Sequence, residues 1–263
     1  MNDKAYALVT GASAGIGAAI ARELARRGHP LVLTARRTER LQALQQELAA
    51  RVPCEIIAAD LEDPSTPALL CAELARRDLR VDLLVNNAGY GVPGAFLSAD
   101  WACHARFLQI MVTAVCELTW RLLPAMQTHG GAILNVSSLA GHMPGSAGHT
   151  LYAAAKAFVV KFSQSLALEN AERGIRVCAL CPGFTYSEFH DITGTREQVS
   201  KMPRWLWMDA DTVAREGLDA LARGEVVHVP GRVNRAIKTL MKLLPDRSAL
   251  RLVAERSKDF RKL

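Results

Sequence analysis

The chain has 263 residues, half of them hydrophobic and 22% charged, enough apolar material for a sizeable core and too much for a mostly disordered polypeptide. Its net charge of +6 is uneven: ten Lys/Arg and three Asp/Glu lie between Arg232 and Leu263, giving that segment +7 and the first 231 residues −1. The charge therefore excludes a nucleic-acid-binding body, and the 6% aromatic content favours an α/β chain over an all-β one.

Strand and helix patterns alternate from the start. Ala5–Thr10 reads as a short apolar strand, and Ile16, Ile20 and Leu24 recur at helical spacing until Gly28. Leu31–Ala35 is the next strand, and Leu41, Leu44 and Leu48 mark a second helix. Cys54–Ala59 predicts a third strand and Pro64–Asp78 a third helix. Val81–Val85 is a fourth strand, Asp100–Thr128 a long helix and Gly131–Val136 a fifth strand. Leu151–Glu172 predicts another long helix and Ile175–Leu180 a sixth strand. Asp209–Arg223 reads as a helix and Val226–Val229 as a seventh strand. The strands are continuous apolar runs, as expected when both faces are buried. The expected fold is a doubly wound, Rossmann-type, seven-stranded parallel sheet with helices on both faces. Residues 1–231 form one expected domain, with 232–263 a basic amphipathic extension.

The six cysteines are scattered through apolar segments. Cys178 and Cys181 form a C-x-x-C, but their opposite parity along a strand points them to opposite faces, against a redox or metal role. With no signal-like start and no apolar run near 18 residues, a reducing, cytoplasmic setting is expected, and no metal.

Thr10-Gly11-Ala12-Ser13-Ala14-Gly15-Ile16-Gly17 follows the first strand and opens the first helix. Its glycines permit a tight turn and close approach to a pyrophosphate, for which the helix N-terminus supplies N–H donors. An NAD site usually has a carboxylate at the end of the second strand to hold the ribose 2′-hydroxyl. Here that end reads Thr34-Ala35-Arg36-Arg37, with no carboxylate before Glu39. Arg36 and Arg37 suit a 2′-phosphate by charge and by their planar forks of donors, which favours NADP(H). The alternative is that both sit at a solvated helix entrance.

Tyr152 and Lys156 stand four apart on one helical face. An ammonium near a phenol favours its ionised form and lowers its pKa, so such a pair can pass a proton to a carbonyl oxygen or take one from an alcohol. Three further segments end strands on the same side: Asn86-Asn87-Ala88-Gly89, Asn135-Val136-Ser137-Ser138, and Pro182-Gly183-Phe184-Thr185.

Together these five ordered motifs resemble the short-chain dehydrogenase/reductase family over about residues 5–231. The resemblance implies Tyr152 as general acid/base, Lys156 as the group that binds the nicotinamide ribose and tunes Tyr152, and Ser138 as the donor that orients the substrate oxygen. It implies cofactor contacts from Gly11, Ser13, Gly15, Ile16, Gly17, Arg36 and Arg37. Further contacts follow from Asp60 and Leu61 beside adenine, from Asn87, Ala88 and Gly89, and from Pro182, Gly183 and Thr185 near the carboxamide. One position departs from the pattern: Met111 stands where the family usually has an Asn that helps hold a proton-relaying water. A thioether does not donate, and Gln109 lies about 200° round the helix.

The segment Tyr186–Met208 carries Phe189, Ile192, Met202, Trp205, Leu206, Trp207 and Met208. It reads either as an apolar lid over a bulky hydrophobic substrate, helped by Tyr90 and Phe96, or as ordinary packing or an oligomer contact. In the tail, Val233, Ile237, Leu240, Met241 and Leu244 recur at helical spacing between basic residues until Pro245. That helix could lie on an anionic membrane, or dock on the body or on a second subunit. A homodimer or homotetramer is the expected assembly. Three functions stay open: an NADP(H)-dependent oxidoreductase of a hydrophobic carbonyl or alcohol; a cofactor-binding regulatory protein weakened by Met111; and a membrane-associated reductase of 3-oxoacyl or sterol groups.

Overall fold

The computed structural model describes residues 5–189, 200 and 202–256. Seven parallel strands form one sheet in the order β3-β2-β1-β4-β5-β6-β9. They are β1 (Ala5–Thr10), β2 (Leu31–Thr34), β3 (Cys54–Ile56), β4 (Arg80–Asn86), β5 (Ala132–Val136), β6 (Arg176–Leu180) and β9 (Val227–His228). Two-residue strands β7 (Thr185–Tyr186) and β8 (Met208–Asp209) pair separately. The chain winds outward from β1 to β3 and returns to place β4 beside β1, so a crevice opens where their carboxyl ends diverge.

One face of the sheet presents Ala7, Val9, Leu31, Leu33, Val85 and Leu134 to α1 (Gly15–Arg26), α2 (Thr38–Leu48) and α7 (Ala210–Ala222). The other presents Tyr6, Leu8, Val32, Leu84 and Ile133 to α3 (Thr66–Arg76), α4 (Trp101–Leu108), α5 (Ala114–His129) and α6 (Thr150–Glu169). Cys178 packs on the first face and Cys181 on the second, as their parity predicts.

Departures from the sequence reading have local causes. Beyond Ile56 the chain still follows β2 through Ile57 N to Leu33 O (3.1 Å) and Ala59 N to Ala35 O (3.1 Å), without regular strand geometry. Helix α3 begins late because Asp63 accepts from Ser65 N and Ser65 Oγ (both 2.8 Å) and closes a turn first. The expected helix over 100–128 is capped by Asp100, which accepts from Cys103 N (2.7 Å), and is interrupted by a π turn over Gln109–Thr113. By length and composition the whole stretch Trp101–His129 could cross a bilayer, contrary to the expected absence of such a run. Its apolar character is accounted for by Phe107, Ile110, Met111, Ala114 and Leu118, which are buried in the core.

The tail forms α8 (Arg232–Leu243) and, beyond Pro245, a second helix α9 (Asp246–Arg256) that the periodicity did not reveal. Helix α8 docks on the body. Asn234 is 3% exposed, donates to Pro230 O (2.9 Å) and abuts Gly183 so closely that a Cβ there would lie 2.5 Å from its Oδ1.

Candidate active site

The Gly-rich turn is shaped from behind. Thr10 Oγ1 donates to Val85 O (3.1 Å) and accepts from Asn87 N (2.9 Å) and Ala88 N (3.0 Å), latching β1 to β4. Asn87 Nδ2 donates to Thr10 O (2.9 Å) and Gly11 O (3.2 Å), so this side chain builds the turn. Gly11 has a φ of +65°, and a Cβ on it would come within 2.9 Å of the Ala88 Cα. Ala14 precedes α1 with no side-chain cap, leaving the helix N-terminus to face the crevice with its N–H groups. A cradle of bare backbone and uncapped donors fits the pyrophosphate of a dinucleotide.

A cavity of about 890 Å³ runs from this turn across the carboxyl ends of the strands. Every residue singled out from the sequence for catalysis or cofactor contact lines it, except Gly17. Gly17 lies behind the turn, where a Cβ would collide with Gly11 O and Asn87 Nδ2, so it serves helix packing. Arg36 donates to Glu62 Oε1 (2.6 Å) and lies 3.9 Å from Asp60 Oδ2. Asp60 also accepts from Glu62 N (3.0 Å) in a turn. Thr185 Oγ1 donates to Gly183 O (3.1 Å), and the β7–β8 pairing fixes its backbone.

Tyr152 sits near the start of α6, with its ring 5.8 Å from that of Phe189. Burial pushes its hydroxyl up to about 12, opposed by a hydrogen bond with Ser138. Ser138 Oγ in turn accepts from Ala140 N (3.1 Å). Lys156 is 7% exposed; its Nζ donates to Val136 O (2.9 Å) and stands 5.8 Å from the Tyr152 ring centroid. Burial lowers the ammonium to about 8. The expected lowering of the Tyr152 pKa by Lys156 is not met here: burial raises it, and the opposing influence comes from Ser138.

Behind the floor runs a buried polar chain. Asn86 Nδ2 donates to Asn135 Oδ1 (2.9 Å) and Thr119 Oγ1 (3.3 Å), and Asn135 Nδ2 donates to Ser163 Oγ (2.9 Å). It ties the two catalytic strands to α5 and α6. Asn135→Ala would leave polar atoms unpaired and should destabilise the protein by about 1–3 kcal/mol. A lower urea midpoint at constant m, with cofactor affinity retained, is the expected result.

Part of the apolar segment 186–208 reaches the cavity. Phe189, Met202 and Leu206 line the cavity, with Tyr90. Trp205 is 65% exposed, Trp207 stacks on Tyr186 (4.8 Å), and Met208 packs on the core. Phe96 stacks on His104 (4.8 Å) and does not line the main cavity. Ile192 lies outside the described residues. Ile237, Leu240 and Met241 of α8 and Leu252 and Val253 of α9 also line it, so part of the tail's apolar face turns inward, while Val233, Leu243 and Leu250 stay exposed. Sequence reasoning missed Ser187 and Glu188, which line the cofactor end, and the α9 residues. Ser187 follows Thr185 by two and would share its side of an extended segment; Glu188 carried no sequence signal.

Known proteins share this sequence pattern and fold. The short chain dehydrogenase family matches residues 5–198. Sulfoacetaldehyde reductase of Chromohalobacter salexigens is 40% identical over 184 residues, covering 69% of this chain and 72% of that protein. Oxidoreductase UcpA of Escherichia coli K12 is 39% identical over 180 residues, covering 68% of each. A short-chain dehydrogenase from Sphingobium yanoikuyae solved in complex with NADPH superimposes with a TM-score of 0.80 at 35% identity, covering 92% of this chain and 96% of that one. The bulky-bulky ketone specific alcohol dehydrogenase from Comamonas testosteroni gives 0.75 at 32% identity, covering 93% and 96%.

The fold and site are those of a nicotinamide-dependent oxidoreductase acting on CH–OH and C=O groups. The chain belongs to the short-chain dehydrogenase/reductase family.

Proposed function

We propose that this protein is an NADP(H)-dependent reductase of a bulky hydrophobic carbonyl compound, or dehydrogenase of the matching alcohol. The observation that carries this reading is the Tyr152–Ser138 pair in an apolar-walled cavity that continues to the Gly-rich turn. Bound NADPH would supply the hydride, and the chain's own groups would handle the proton. The Tyr152 hydroxyl donates to the carbonyl oxygen as the alcohol forms, and the Ser138 hydroxyl orients that oxygen. Lys156, tied to Val136 O, holds positive charge beside the phenolate left behind. Met202, Leu206, Ile237 and Met241 supply apolar walls suited to a large substrate. The NADPH complex of the Sphingobium relative and the bulky ketones of the Comamonas one support the reading by analogy.

Monitoring NADPH oxidation against aldehydes, diketones, steroids and acyl thioesters tests it. Turnover confined to small hydrophilic aldehydes would overturn the substrate class. Arg36→Ala should raise KM for NADPH far more than for NADH, since a charge-assisted contact is worth roughly 1.5–3 kcal/mol. An equal effect on both cofactors would make Arg36 purely structural, serving its pair with Glu62.

The cysteines and the exposed helix faces fit the same reading. Six free cysteines, with Cys54 and Cys178 pushed up to about 12 by burial, support a reducing cytoplasm. Trp120 on α5 and Leu168 on α6 are 72% and 80% exposed, supporting a second copy of the chain as the partner of these helices. Sedimentation equilibrium of Trp120→Glu should then show a smaller particle than wild type.

A further inference from the structure

Three segments meet around Arg37 at the cofactor end of the cavity. Glu188, in the segment after β7, accepts from Arg37 Nη1 at Oε2 (3.0 Å) and from Arg40 Nη1 at both oxygens (2.5 and 2.6 Å). Arg37 turns its other two nitrogens to Ser13 Oγ in the Gly-rich turn (3.3 and 3.1 Å). Ser13, Arg37 and Glu188 all line the cavity. A carboxylate offers two guanidiniums paired acceptor oxygens, as a phosphate monoester does, but with one negative charge where the phosphate carries nearly two. Arg36 also lines this end of the cavity but pairs with Glu62 (2.6 Å) and not with Glu188, so its proposed contact with the cofactor is separate from this exchange.

We propose that Glu188 is an internal occupant of the 2′-phosphate site: its carboxylate holds Arg37 and Arg40 in the arrangement a 2′-phosphate takes over when NADP(H) binds. NAD(H), which lacks that phosphate, leaves the pairs intact. Glu188 is then a determinant of cofactor selectivity through competition, and Arg40 joins Arg37 in the phosphate site. The pairs are suited to exchange. Arg37, Arg40 and Glu188 keep 38%, 47% and 41% of their side-chain surface exposed, so solvent screens each contact and a stronger anion can displace the carboxylate. The displacement is felt along the turn, because Ser187 lies so near Gly15 that a Cβ there would meet the Ser187 Cβ at 3.0 Å. Releasing Glu188 thus frees the neighbour that lies over the pyrophosphate-binding backbone.

This inference rests on the NADP(H) reading above, and one calorimetric series separates the two. Dissociation constants are measured for NADPH, NADH, 2′-AMP and 5′-AMP with wild type, Glu188→Gln and Arg40→Ala, each checked for an unchanged circular dichroism spectrum. Glu188→Gln should bind NADPH and 2′-AMP about fivefold tighter, about 1 kcal/mol, and leave NADH and 5′-AMP unchanged. Arg40→Ala should weaken NADPH and 2′-AMP alone. Weaker NADPH binding by Glu188→Gln, or equal shifts for both cofactors, would make Glu188 a scaffold for the arginines and overturn the competition. A wild type that prefers NADPH but is unaltered by either substitution overturns only this inference. A wild type that binds NADH more tightly and does not bind 2′-AMP overturns the NADP(H) reading with it.

Discussion

Tyr152→Phe should lower kcat by about 100-fold or more while the NADPH dissociation constant stays close to wild type. The substitution removes one oxygen and keeps the ring that packs against Phe189, so the walls of the cavity are unchanged. What disappears is the proton that the carbonyl oxygen must receive. The pH profile gives an independent check. Tyr152, pushed up to about 12, keeps its proton over the working range, whereas Lys156, lowered to about 8, loses its charge within it. Reduction should therefore decline as pH rises past about 8, when the cation that stabilises the phenolate is lost. Stability moves the other way through the same group. Between about 8 and 10.5 the unfolded chain still binds the lysine proton and the folded one does not, so this term favours folding as pH rises. Wild-type turnover in Tyr152→Phe would refute the assignment of the acid.

Met111→Asn should destabilise the protein by roughly 2–4 kcal/mol without raising kcat. The resemblance to the family made this residue ambiguous: an Asn restored here would rescue a proton relay, or it would be buried with nothing to bond. The geometry favours burial. Met111 is 2% exposed, belongs to the core, and sits in the π turn with its sulfur so close to Gly89 that a Cβ there would lie 2.5 Å away. The main cavity is lined by Ile110, not by Met111 or Gln109. Gln109 does not line the cavity, and its Nε2 is buried with no hydrogen-bond partner among the described residues. At roughly 2–4 °C per kcal/mol, the melting temperature should drop by about 5–15 °C. A rise in kcat with a shrinking solvent isotope effect would show instead that the missing amide limits proton supply.

The features legible in the sequence were those with short-range causes. Continuous apolar runs such as Leu31–Thr34 declare a strand buried on both faces, and glycines at 11 and 15 declare a turn that only positive φ allows. Tyr152 and Lys156 share a helical face by spacing alone. Features with long-range causes were hidden. The two-residue strands β7 and β8 have no period to read, and they exist because residues 185 and 208 are brought together. Glu188 looks like any exposed acid until the fold sets Arg37 and Arg40, about 150 residues earlier, beside it. The Tyr152 pKa was misjudged because a helical spacing carries no information about depth of burial. The tail's periodicity marks an apolar face, and only the packed structure shows that part of it lines the cavity.

Helix α8 contributes a wall to the cavity yet adds no strand to the sheet. Its hold on the body is local, through Asn234 against Gly183 and Pro230. Substitutions at Ile237, Leu240 or Met241 therefore leave every ladder bond and the Tyr152–Lys156 face untouched. Relatives can diverge at these positions without re-evolving the machinery beneath them. On the proposed function, the wall that meets the substrate can thus be rebuilt on this helix while the sheet and the Tyr152–Lys156 face stay as they are.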